Sequence, residues 1–436
     1  MKGEKTILIV GAGVAGLAAG AFLAKQGCRV KIFEAQDHLG GCCSNTTLEG
    51  YTFNNGAMTV IMPGLLDHVF ARLGVERAAL LPLDRIRAPQ RSFLGNGVTV
   101  TLEDGPGVRI EGGGGTGQAV EDLRRLVQKW APLYRAFADL VVRPFSPAAW
   151  ISRLGRYLPL FARTAAAELD ALIRDANLRA ALAGHIAYAG VDPRRLPAPS
   201  LLALAVMLEE GYFMPPGGMG AIPQALAKAC EGFGGEIILD AKVKRIEVAG
   251  SGVTGLDVEG HGFVAADAVL SSASGMATFA WLLDPQRVPA VMARKVRRAP
   301  LSMKAFYIQL GLANRLEIDS HLNYILPSPA EIHHYFSPVD AQVKWGMYAV
   351  PTAFLPGLAP AGGSIVEISP AVRMDEAPDA WTEARVEALA EATLALLRQS
   401  QPLDIVVRRV RTPCSFQDEM HLYQGAIYGL SPLASP

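Results

Sequence analysis

Thr6-Ile-Leu-Ile-Val-Gly-Ala-Gly-Val-Ala-Gly16 decides how the chain begins. A β-prone run, Thr6–Val10, opens directly into glycines at 11, 13 and 16, and small residues continue past Gly20 to about Gln26. Arg29–Glu34 then reads as a second strand. This spacing predicts a strand-helix-strand unit shaped for a dinucleotide. Gly11 permits the tight turn, Gly13 lets the backbone approach a pyrophosphate, and Gly16 lets helix and strand close up. The helix N-terminus, with Ala15 in its first turn, offers N–H groups to the anion. Glu34 suits a ribose diol and disfavours a 2′-phosphate.

The apolar run from Ile7 to Ala24 follows Lys2 and Lys5 and could pass for a leader or a membrane span. Its glycine spacing and its continuation past Lys25 into another strand argue against both. Across 436 residues, 41 Lys+Arg balance 41 Asp+Glu, which excludes an electrostatic nucleic-acid partner. Apolar residues at 50% against 19% charged leave ample material for a core, and the length suggests two sizeable domains. Cys28, Cys42, Cys43, Cys230 and Cys414 show neither C-x-x-C nor zinc spacing and read as reduced thiols of a cytosolic protein.

Downstream, Gly112–Gly115 lacks the Lys-Ser/Thr of a phosphate loop and reads as a linker before a helix starting near Gln118. From there to about Leu208 the texture is helical, with Leu123, Leu126, Val127, Trp130 and Leu133 at helix spacing. Strands are expected at Glu236–Leu239, Lys242–Val248, Val253–Val258, Ala268–Leu270, Lys304–Leu312, Gln342–Val350, Ser364–Ile368 and Ile405–Val410, and an amphipathic helix at Thr382–Arg398. His333 and His334, read as neighbours on a strand, would point to opposite sides, so no metal site is expected. No G-x-S-x-G hydrolase elbow occurs, and Asn45-Thr46-Thr47 matches a glycosylation acceptor by chance.

Residues 11–44, ending in Gly40-Gly41-Cys42-Cys43-Ser44, resemble the FAD-binding start of the flavin amine oxidase and carotenoid desaturase superfamily. Three later stretches resemble its phytoene desaturase branch. They are Gly50-Tyr-Thr-Phe-Asn-Asn-Gly56; Pro215-Pro-Gly-Gly-Met219 with Ala241-Lys-Val-Lys-Arg-Ile246 and Ala266-Asp-Ala-Val-Leu-Ser-Ser272; and Tyr423-Gln-Gly-Ala-Ile-Tyr-Gly429. The resemblance implies FAD as cofactor, with Gly40, Gly41 and Cys42 bordering the pyrophosphate and ribityl chain and the Val243 backbone at the adenine. Cys42 stands where the family often has Arg, and Asn54 where many relatives have Asp. The family's final Gly-rich turn is not found before Pro436, so the chain is expected to be a C-terminally truncated member.

The fold expected is α/β: a Rossmann-like FAD-binding domain and a mixed α/β substrate domain carrying a helical insertion. Residues 1–110 and 215–275 would form the FAD unit, 111–214 a helical, membrane-facing region, 276–412 the substrate domain, and 413–436 an incomplete return to the FAD unit. The activity implied is desaturation of a polyprenoid such as a carotenoid precursor, with electrons passed to oxygen or a quinone. Polyene isomerisation or saturation, or a non-catalytic flavin- or lipid-binding remnant, stays open. Leu154–Phe161 and Ser200–Leu208 read either as core helices or as a lipid-facing surface, which gives a cytoplasmic protein with peripheral contact on the inner face of the membrane. No catalytic residue is assigned; Glu209, Glu210 and His185 are the nearest titratable groups.

Overall fold

In the computed structural model, which describes residues 5–113, 115–186, 190–337, 343–372, 374 and 378–433, the opening motif sits on a four-stranded parallel sheet. The strand order is Glu236–Ile238, Arg29–Phe33, Thr6–Val10, Ala268–Ser271. Thr6–Val10 is central and pairs in parallel on both sides. Leu8 and Ile9 are fully buried because both faces of this strand are covered. On one face lies the helix Val14–Lys25, packed along a second helix, Ala221–Gly232. A Cβ at Gly20 would sit 2.7 Å from Ile32 Cδ1, so the absent side chain sets how closely the helix approaches the sheet. The other face is closed by the antiparallel meander Val243–Ala249, Gly252–Val258 and Gly262–Ala265, whose Val243, Ile246, Leu256 and Val258 pack on Leu8, Val10 and Phe33.

A larger eight-stranded sheet lies beyond, in the order Ile405–Arg411, Tyr307–Leu312, Ser364–Pro370, Gly346–Ala349, Leu322–Leu326, Gln90–Leu94, Thr99–Glu103, Gly107–Glu111. The last three strands come from the segment expected to complete the first FAD unit. Gln90–Leu94 instead pairs in parallel with Leu322–Leu326, so the boundary drawn at 110 does not follow the sheets. Their short β-prone runs carry no mark of which sheet they join, and long-range pairing settles it.

Side chains alternate across this sheet. Ile308, Leu310, Leu312, Tyr348, Val366 and Ile368 face the helix Glu383–Arg398, whose Leu389, Ala390, Leu394 and Leu397 close an apolar cluster. The alternate positions Tyr307, Gln309, Tyr324, Met347 and Glu367 turn to the opposite side.

The helical region begins at Thr116–Val141, where Leu123, Leu126 and Trp130 are buried as their spacing predicts. Of the two apolar stretches weighed as a lipid-facing surface, Ser200–Leu208 is core: Leu201, Leu204 and Ala205 are fully buried. Leu154–Phe161 differs, leaving Leu158 65% and Phe161 59% exposed. Among the described residues no helix is long and apolar enough to cross a membrane.

His333 and His334 occupy a short helix, His333–Phe336, and not a strand; their ring centroids are 4.1 Å apart. Among the described residues no group of three or more His, Cys, Asp or Glu could hold a metal. The strand expected from Gln342 is found at Gly346–Ala349, and Gln342 itself, like Lys2 and Pro436, lies outside the described residues.

Candidate active site

The end of Thr6–Val10 turns at Gly11 with φ +91°, a conformation that favours glycine. A Cβ at Gly16 would lie 2.1 Å from the Gly11 carbonyl oxygen, so helix and turn touch only because position 16 has none. At Gly13 a Cβ would meet nothing within 4 Å. That space stands in front of a helix with no side-chain cap, toward which the N–H groups of Val14, Ala15 and Gly16 are directed. Ser272, at the end of the fourth strand, reaches the Val10 and Gly11 carbonyl oxygens at 2.9 Å each and clasps the turn.

Glu34 is buried. Its Oε2 accepts the Ala12 N–H at 2.7 Å and its Oε1 the Gln36 N–H at 3.0 Å, which leaves lone pairs on both oxygens for a further donor. Gly40 bridges to Gly13, its N–H donating to the Ala12 carbonyl at 3.0 Å. Gly40 and Gly41 both have positive φ (112° and 54°), which leads the chain into the short turn Gly41–Cys43. Cys42 is exposed, on the side where the cradle meets a large cavity. Val243 stands two residues beyond Ala241, whose N–H donates to the Glu34 carbonyl at 2.8 Å; its side chain is in the core and its backbone starts the meander.

All five cysteines are free. Cys42 is exposed only to the cavity, whose surrounding protein desolvates the thiol and pushes it up, opposed by the Arg411 charge; burial pushes Cys43 up to about 12, with Cys42 as the second cause. Neither is a ready thiolate.

The cavity, about 1030 Å³, runs from Cys42 and Asn55–Thr59 between the large sheet and the segment 416–428. Met58, Leu301, Met303, Phe336, Met347 and Phe416 give it an apolar wall, which Tyr307 and Tyr324 join from the sheet. Behind that wall runs a buried polar seam. The hairpin Asn45–Leu48/Tyr51–Asn54 is held to the sheet where the Asn54 N–H donates to Glu367 Oε1 at 2.6 Å and Gln309 Nε2 donates to the Asn54 carbonyl at 2.8 Å. Arg411, 1% exposed, donates to the Asn55 carbonyl at 3.1 Å, pairs with Glu419 at 3.2 Å and lies 4.4 Å from the Phe416 ring centroid. Burial pushes Glu367 up to about 7, while hydrogen bonds from Asn54 and Tyr307 pull the other way.

Of the titratable groups near the helical region, Glu209 pairs with Arg135 and Glu210 accepts the Tyr134 hydroxyl at 2.6 Å; both tie helices together. His185 is buried between Tyr324 (3.3 Å) and Tyr212 (3.5 Å), and burial lowers it to about 4. Sequence reasoning missed Tyr307, Glu367 and Arg411. The one signal was a glutamate inside the otherwise uncharged Ser364-Ile-Val-Glu-Ile-Ser-Pro370.

A parallel sheet whose first turn leaves a helix N-terminus open, with a wide apolar cavity that reaches the neighbouring loop at Cys42 and is backed by a second sheet, is the arrangement of a dinucleotide-binding protein with room for an apolar ligand. The chain belongs to the flavin containing amine oxidoreductase family, whose model matches residues 14–423. A flavin carried as a dinucleotide is FAD, which is its cofactor. The zeta-carotene-forming phytoene desaturase of Myxococcus xanthus is 29% identical, over 98% of this chain and 84% of that protein. The lycopene-forming phytoene desaturase of Pantoea ananas is 25% identical, over 98% and 89%. Among solved structures, a putrescine oxidase redesigned in its cofactor binding superposes with TM-score 0.63 at 17% identity, over 99% of this chain and 89% of that one. An oxidoreductase from Methanosarcina mazei gives 0.57 at 17%, over 93% and 88%. These two structural likenesses establish the fold.

Proposed function

We propose that the chain desaturates a long acyclic polyprenoid of the carotenoid-precursor type. The observation that carries this reading is the apolar cavity of about 1030 Å³ that opens onto the dinucleotide cradle at Cys42, in a chain similar over almost its whole length to phytoene desaturases. Gly11, Gly13, Ala15, Gly16, Gly40, Gly41 and Cys42 would border the phosphates and ribityl chain of FAD, Glu34 the ribose, and the Val243 backbone the adenine. The unfilled space at Gly13 supports the fit. When bound, FAD supplies the oxidant that accepts a hydride from an allylic carbon. The residues of this chain exclude water, hold the polyene extended along Met58, Met303 and Met347, and leave the thioethers free to adapt to its shape.

The reading includes peripheral contact with the cytoplasmic face of a membrane. Ile151, Leu158 and Phe161 are exposed along the helical stretch Pro147–Ala162, with Phe145 exposed in the loop just before it, and Arg156 lies 4.8 Å from the Tyr157 ring centroid beside them. Such a surface suits the boundary between headgroups and acyl chains, where a water-insoluble substrate resides. Oxygen or a quinone takes the electrons; comparing re-oxidation rates with each identifies the acceptor.

The test is anaerobic mixing of the FAD-loaded protein with phytoene in detergent or liposomes. Bleaching of the flavin band together with growth of longer-wavelength polyene absorption is expected. Bleaching without a more conjugated product, or a product with the same number of double bonds, would overturn it.

A further inference from the structure

The helix Ala290–Arg298, Ala-Val-Met-Ala-Arg-Lys-Val-Arg-Arg, carries four cations and no acid. At helical spacing Met292, Ala293 and Val296 fall on one side and are half-buried, while Val291, Arg294, Lys295, Arg297 and Arg298 share the other and are exposed. Val291 stands 69% exposed within this basic face. Among the described residues none of the four cations has an ion-pair or hydrogen-bond partner. Elsewhere the exposed Arg109, Arg124, Lys244 and Arg398 each stand beside a carboxylate. In a chain of zero formal net charge, the helix is a local and unneutralised positive excess.

Its position gives that excess a use. The chain leaves the helix directly into the rim of the cavity: the Ser431 N–H donates to the Pro300 carbonyl at 2.8 Å, Leu301 bridges to Leu430, and the Ser302 N–H donates to the Gly429 carbonyl at 2.9 Å. Leu301, Ser302 and Tyr428 line the cavity, and Tyr428 is also 50% exposed, so the cavity opens here. Leu430 is exposed beside it, and Trp281 is exposed on Thr278–Leu282, the segment against which the helix packs.

We infer that the outer face of Ala290–Arg298 docks the protein on a bilayer carrying anionic phospholipid, at the mouth of the cavity. This rests on the membrane reading above; it names the lipid class and a surface separate from the Leu158 stretch, and it is independent of the redox chemistry. The four cations are complementary to a negatively charged bilayer surface, to which each Lys or Arg adds attraction. Val291, Trp281 and Leu430 suit the boundary between headgroups and acyl chains. Exposed apolar side chains among the cations, beside the opening of an apolar cavity, favour a bilayer over an acidic protein or RNA.

The test mixes the FAD-loaded protein with vesicles of phosphatidylcholine, with and without phosphatidylglycerol. The anionic vesicles should bind about a hundredfold more tightly, and raised salt should remove the difference. A variant carrying Arg294→Gln, Lys295→Gln, Arg297→Gln and Arg298→Gln should bind both kinds alike, with unchanged circular dichroism. The same neutralisation at Arg109, Arg124, Lys244 and Arg398 should keep the preference. In Val291→Trp, the added fluorescence should shift to the blue on anionic vesicles and not on polyglutamate or RNA. Equal binding of wild type to the two kinds of vesicle, or a helix variant that keeps the preference, would overturn this docking face alone. A blue shift given by polyglutamate or RNA and not by anionic vesicles would hand the face to an acidic macromolecule and overturn it too. Wild type that binds neither kind of vesicle would overturn the membrane reading and the docking face together.

Discussion

Glu34, which follows the second strand, accepts the backbone N–H of Ala12 in the glycine turn at 2.7 Å. One carboxylate therefore braces the glycine turn proposed to meet the phosphates and still has lone pairs for a further donor such as a ribose hydroxyl. Glu34→Ala should weaken FAD binding by about 1–3 kcal/mol, the order of a hydrogen bond to a charged group. Flavin fluorescence on titration measures it, and an unchanged dissociation constant would place Glu34 outside the cofactor site.

Gly13 and Gly16 should fail differently. At Gly13 a side chain enters open space, so Gly13→Asp should leave the apoprotein folded and abolish FAD binding through volume and like charge. At Gly16 the Cβ meets the Gly11 carbonyl oxygen at 2.1 Å, so Gly16→Ala should lower the stability of the apoprotein by about 1–3 kcal/mol as well. Thermal melts of both apoproteins, run beside flavin content, separate the two effects.

Acid should destabilise the fold. Burial holds His185 and His321 at about 4 against an ordinary 6.5, so the unfolded chain takes up protons first and the stability present above 6.5 is lost as pH falls toward 4. Glu367 acts in the opposite sense. Raised from 4.5 to about 7, its contribution is fullest below 4.5 and is lost as pH rises through 7. Two histidines outweigh one glutamate between 4.5 and 6.5, so Tm should fall on acidification across that window. His321→Gln, which can still donate to the Met58 carbonyl, should reduce the loss by up to roughly 3 kcal/mol. A Tm independent of pH there would contradict the buried, neutral histidines.

The exposed stretch around Leu158 should bind liposomes. Leu158→Asp together with Phe161→Asp should weaken partitioning by about tenfold or more, since each side chain is worth about 1.5–3 kcal/mol on full burial. Circular dichroism should not change. Leu204→Asp, by contrast, places a charge in the core and should lose the soluble fold. Equal sedimentation of the double variant and wild type would remove this surface from the membrane reading.

The strand-turn-helix-strand unit was legible because its constraints are local: Gly11, Gly13 and Gly16 must sit where they do whatever else the chain does. Helix Thr116–Val141 was legible through the spacing of Leu123, Leu126 and Trp130. What escaped is set over long range. Nothing near Gln90 announces that it will pair beside Leu322, and the short strands on either side of His333 suggested extended backbone where the chain coils. Ser200–Leu208 and Leu154–Phe161 look alike in composition, yet one is enclosed and the other exposed, because burial depends on which elements arrive to cover them. Tyr307 and Glu367 meet across 60 residues of sequence, in a register that only the assembled sheet defines.

The interleaving of the two sheets bears on synthesis. The parallel sheet that starts at Thr6 gains its last strand only at Ala268–Ser271, and Arg409 and Arg411 reach the Asn55 side of the flavin loop only once the last strand of the larger sheet is in place. A nascent chain emerging from the ribosome therefore exposes its glycine-rich opening long before its partners exist, and ties of such high sequence separation form slowly. Flavin capture therefore waits until Ile405–Arg411 has been made and paired, long after the glycine-rich opening has left the ribosome.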